Sequence, residues 1–123
     1  MFVLFCCLTL GVILTKTAFA ETVNFSMLVQ YEEQSTSSPA AKKDDWDPAV
    51  ANILNGLGLG KKVYIRVRTV RENEPATNLI LATTNQRYTF TYSAGYGTVG
   101  KYYKLNASKY GLFNSTIIGR FAP

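Results

Sequence analysis

Apolar and polar positions alternate along much of this chain, at the period of two that marks strands with one buried face. Residues 23–30 set Val23, Phe25, Met27 and Val29 against Asn24, Ser26 and Gln30, with Leu28 breaking the polar side. Residues 61–70 are the clearest case, with Val63, Ile65 and Val67 on one face and Tyr64, Arg66 and Arg68 on the other. Residues 87–93 place Tyr88, Phe90 and Tyr92 against Arg87, Thr89, Thr91 and Ser93. Gly95, Gly97 and Gly100 follow, and then Tyr103 and Leu105 alternate with Tyr102, Lys104 and Asn106. The stretch 87–105 therefore reads as a hairpin of strand, glycine-rich turn and strand. Residues 78–82 form a short apolar strand. Residues 115–121 close the chain, with Ile117 and Phe121 opposite Ile118 and Arg120. Gly119 marks a bulge or a close backbone approach there.

The connections are less regular. Residues 31–43 are poor in apolar side chains and rich in Ser and Thr, and Pro39 lies among them. They read as a mobile loop, because burial there cannot offset the entropy of ordering. Residues 44–55 are ambiguous. Asp47 before Pro48, with Gly56 beyond, suits a short helix. Ala49, Ala51 and Ile53 also alternate, which favours a strand in a hairpin with residues 61–70. Pro75 sits in a polar turn, and residues 107–114 read as a loop carrying Tyr110, Gly111 and Phe113. Strands recurring about every 10 to 15 residues, with no long helical pattern, predict an all-β fold. The expected form is a single antiparallel β-sandwich, Greek-key-like, of about six to seven strands.

Residues 1–20 stand apart. Residues 2–14 are an apolar run of signal-peptide length, and Ala18, Phe19 and Ala20 form an A-x-A cleavage site. No Lys or Arg precedes the run. Cys6 and Cys7 lie within it and form no lipobox. The expectation is a cleaved signal peptide over 1–20, a single domain over 21–123, and a secreted protein, extracellular or associated with the cell wall. Both cysteines belong to the leader, and the chain has no histidine. The domain is therefore not a disulfide framework. A Ser-His-Asp triad, a Cys-His pair and a Cys/His zinc site are excluded with it. Carboxylates, tyrosine or lysine remain for acid–base work, and an enzyme acting on sugars through carboxylates is the least supported function.

Charge is uneven. The whole chain carries a formal +5, but residues 21–60 hold Lys42 and Lys43 against six acids, whereas residues 61–123 hold ten basic residues against Glu72 and Glu74. This asymmetry suits either two mutually attractive solvated faces or attraction to an anionic partner. Tyr64, Arg66, Arg68, Lys101, Tyr102 and Lys104 are the candidate ligand-binding residues. Aromatic rings among cations suit a face that pairs with anions and packs against what carries them, provided the two strands are neighbours. The cluster Asp44, Asp45 and Asp47 begins like a calcium loop, but Pro48 follows and the required glycine is missing, so a solvated acidic turn is the reading. The G-x-G-x-x-G of residues 95–100 is followed by a strand and not a helix, which argues against a nucleotide. Three N-x-[ST] sequences begin at Asn24, Asn106 and Asn114, and matter only in a eukaryotic secretory pathway. No cofactor, metal, nucleotide or nucleic acid is expected.

The leader, the early strand, Lys43-Asp44-Asp45 at the end of the polar loop, V-Y-I-R-V-R at 63–68, G-K-Y-Y-K-L at 100–105 and the terminal G-R-F-A-P resemble small secreted proteins of Gram-positive Firmicutes. Those proteins end in a similar strand, with tryptophan where Phe121 stands here. The resemblance implies a compact β-sandwich and no catalytic residues. Together these features predict a non-enzymatic binding or structural module at the cell envelope, with affinity for anionic wall polymer or a membrane surface. A secreted antimicrobial or toxin-like effector is the alternative.

Overall fold

The computed structural model describes residues 21–30, 36–112 and 114–123. The expected leader, residues 31–35 of the expected loop, and Phe113 lie outside them. The described residues contain nine strands and no helix: β1 (Val23–Val29), β2 (Thr36–Ser37), β3 (Ala41–Lys42), β4 (Val50–Asn55), β5 (Val63–Thr69), β6 (Ile80–Ala82), β7 (Arg87–Thr89), β8 (Tyr102–Lys109) and β9 (Ser115–Ala122). All pair antiparallel, in two sheets. One runs β1-β9-β4-β7; the other runs β2-β8-β5-β6, with β3 also on β8. Nine strands exceed the six or seven expected because the segment after residue 35 contributes two short ones.

The alternation foreseen for β1, β5 and β9 is present, and its apolar positions are buried. Phe25, Met27 and Val29, then Val63, Ile65 and Val67, then Ile117 and Phe121 all join one core cluster drawn from both sheets. Each such side chain contributes roughly 1.5–3 kcal/mol by leaving water. Phe90 and Tyr103 add the largest apolar areas and are almost fully enclosed.

Both expected hairpins are corrected. β4 is a strand and not a helix, but it pairs with β7 and β9 and not with β5. β7 pairs with β4, whereas β8 pairs with β2, β3 and β5. The chain thus crosses from one sheet to the other both after β4 and after β7. The reason is geometric. A period of two states which side chains point inward, and it is the same for strands lying side by side and for strands facing each other across a core. The glycine-rich segment spans the gap between sheets. Gly97 has φ 81°, and the Tyr92 ring packs where a Cβ would stand.

Two loop expectations also change. Residues 36–43 do not form an open loop: Ser38, Ala41 and Lys43 are buried, and Ser38 exchanges bonds with Leu105. Side-chain hydroxyls there complete the edge of β8, which low apolar content does not reveal. β8 itself continues to Lys109, since Ala107 is buried opposite Ile65. At Gly119 the close approach holds: an added Cβ would collide with the Asn52 carbonyl oxygen and the Phe25 ring. The register shift lies beside it, between Ile53 and Asn55 of β4.

Candidate ligand-binding face

β5 and β8 are neighbours, and their register brings the sequence-selected residues onto the outer face of one sheet. Arg68 lies opposite Lys104, Arg66 opposite Asn106, and Tyr64 opposite Ser108. Tyr102 continues the face one step further, paired with Lys42 of β3. Tyr64, Arg66, Arg68, Tyr102 and Lys104 therefore share one surface. Lys101 precedes β8 and stands at its end, lining a cleft of about 620 Å³ with Arg71, Glu72 and Tyr102.

Local contacts hold the arginines in place. Arg68 Nε donates to Asn106 Oδ1 at 3.1 Å and its Nη1 donates to the Asn73 carbonyl at 2.9 Å. Asn106 in turn donates from Nδ2 to Ser37 Oγ at 3.0 Å. The Asn106 amide thus ties Arg68 across β8 to β2. Arg66 Nη2 donates to the Thr77 carbonyl at 3.4 Å, while its Nε is buried without a hydrogen-bond partner among the described residues. Burial, and then the neighbouring Arg66 charge, pull the Arg68 guanidinium below its ordinary pKa, although it remains charged.

No ion pair engages Arg66, Arg68 or Lys104 among the described residues. Like charges directly opposite each other on a sheet are mutually destabilising, by roughly 0.2–1 kcal/mol. The face therefore holds cations together at a modest cost to folding. Its far end is aromatic: Tyr64 and Tyr110 meet edge to face at 5.5 Å, and Lys62 Nζ stands 5.7 Å from the Tyr110 ring centre.

Sequence reasoning missed Asn106, Lys62 and Tyr110 as parts of this face. Asn106 sits on the outer side by alternation yet is only 4% exposed, because Arg68 and Ser37 cover it. In the acidic cluster, the Asp45 carboxylate accepts the Asp47 backbone N–H at 3.0 Å and lies 3.8 Å from Lys43 Nζ. Comparison with protein-family models, with curated proteins and with solved structures gave no match in any of the three.

Proposed function

We propose that the protein is an exported β-sandwich module that binds anionic wall polymer and performs no catalysis. The binding surface is the outer face of β5 and β8, with Lys101 at its end. One observation carries the reading: Arg68 and Lys104 are direct cross-strand partners beside Arg66, with no carboxylate paired to any of them among the described residues. A polyanion lying along the two strands relieves that repulsion, and the Tyr64 and Tyr102 rings give it apolar contact. Solubility alone calls for cations spread among acids, which is a different pattern. The lack of histidine, and of cysteine beyond Cys6 and Cys7, removes most catalytic machinery and supports binding over chemistry.

The test is a sedimentation assay with isolated Gram-positive walls across a salt series. The wild type is compared with a Lys101→Gln, Lys104→Gln variant, because neither ammonium makes a hydrogen bond or ion pair among the described residues and stability is spared. Wild type is retained at low salt and released as the screening length falls below about 8 Å. The variant is released at lower salt. Retention that ignores salt, or that is equal for both proteins, rejects the face. Binding to anionic vesicles but not to walls moves the partner to a membrane surface.

A further inference from the structure

A second concave site, lined by none of the basic-face side chains, lies between residues 43–48 and 90–97. It is an open depression of about 310 Å³, lined by Lys43, Trp46, Asp47, Phe90, Tyr92 and Tyr96, among others. That volume is at the small end of ligand pockets. Its floor is built from buried polar contacts. Lys43 is 1% exposed, although it is a lysine. Its Nζ donates to the Asp47 carbonyl, lies 3.8 Å from Asp45 Oδ1 and stands 4.8 Å over the Tyr92 ring. Its backbone is fixed on both sides, by Lys101 and Gly100. The facing loop is pinned by Tyr103, whose hydroxyl accepts the Gly97 N–H at 2.9 Å and the Thr98 N–H at 3.1 Å. The cavity is therefore pre-formed.

Its rim is different. Trp46 is 81% exposed. Single exposed apolar residues are common, but this one stands at the mouth of a cavity that already holds Tyr96 and Phe90. No hydrogen bond or ion pair engages the Asp47 carboxylate among the described residues. The arrangement is an aromatic wall with a free acceptor beside it. The cationic place is already filled, since Lys43 covers the Tyr92 face and is paired with Asp45. An aromatic wall beside a hydrogen-bond acceptor suits an uncharged ring with one apolar face and outward hydroxyl donors.

We infer that this cavity is a binding site for a neutral sugar ring of a glycan, packed on Trp46 and Tyr96 with its hydroxyls donating to Asp47. None of the side chains that line it belongs to the basic face, although the Lys43 backbone bonds to that of Lys101. The chain has a single tryptophan, so Trp46 emission reports the cavity directly. The probes are soluble neutral oligosaccharides of glucose and of N-acetylglucosamine, with choline as the organic-cation control. A saturable blue shift with an oligosaccharide, unchanged between low and high salt, is expected. Asp47→Asn weakens it about tenfold, as one lost charge-assisted hydrogen bond does, with an unchanged melting temperature. Trp46→Ala, followed by calorimetry, abolishes binding and stays folded because the ring is exposed. No shift with any oligosaccharide overturns the inference. A shift with choline alone, or a shift on concentrating the protein without ligand, overturns it too, by assigning the cavity to a cation or to a second copy. Salt dependence separates the two sites: wall retention lost at high salt tests the basic face, and oligosaccharide binding that survives salt tests this one.

Discussion

The Tyr92 hydroxyl is buried with no hydrogen-bond partner among the described residues, while its ring packs at 5.3 Å against Tyr103 and lies beneath Lys43. The ring earns its place by contact and the hydroxyl opposes it. Burial first, then Tyr103 and Asp45, push the phenol pKa well above its ordinary value of 10.0. The folded chain therefore keeps this proton at a pH where the unfolded chain has lost it. Stability from this group is full below pH 10 and declines as pH rises above it. Tyr92→Phe is expected to gain about 1 kcal/mol at neutral pH by removing an unsatisfied buried group. Its advantage over wild type then widens above pH 10. Urea melts of both proteins at neutral and alkaline pH measure this; a variant less stable than wild type at neutral pH would show that the hydroxyl has a partner.

β9 is the element on which the four-stranded sheet depends, because β1 and β4 flank it on either side. Gly119 lies at its centre, opposite both Phe25 and Ile53. The absent side chain leaves space for the Phe25 ring on one strand and the Asn52 carbonyl on the other. The carbonyl is backbone and cannot rotate aside as a side chain can. Gly119→Ala is therefore expected to destabilise by about 1–3 kcal/mol or more through overpacking, even though alanine suits an extended strand better than glycine does. Chemical denaturation measures it. Unchanged stability would mean that β4 and β9 separate more easily than their pairing suggests.

At the scale of the molecule, the first long strand pairs with the last, and among the described residues only β5 and β6 are both consecutive and paired. Nearly every pairing thus closes a long loop, whose entropy opposes folding until both ends are held. Such non-local sheets fold in roughly milliseconds to seconds. Ending the chain at Asn114 removes β9, which leaves β1 without its partner and β4 joined only to β7. Core side chains Ile117 and Phe121 go with it. This truncation is expected to abolish cooperative unfolding, read as a lost thermal transition by near-ultraviolet circular dichroism. A sharp transition in the shortened protein would show that the five-stranded sheet is stable alone.

Alternation in residues 23–29, 63–69 and 115–122 was enough to assign those strands and their buried faces, because burial on one side of a pleated strand leaves its mark in every second residue. It also selected Tyr64, Arg66, Arg68, Tyr102 and Lys104 as outward-facing. Their assembly into one patch was not legible, since it rests on β5 pairing with β8 across residues far apart in the chain. The short strands β2 and β3 were missed because hydroxyls and backbone groups, and not apolar side chains, dock them on β8. Lys43 looked like one more loop lysine until Asp45, Asp47 and Tyr92 were brought around it. Alternation along the chain is sufficient to say which side of each long strand meets the core, for that is a local property of the pattern. Which strands are neighbours and which lie in different sheets is set by long-range pairing. Both arrangements bury the same residues, and they differ solely in long-range contacts that no local pattern encodes.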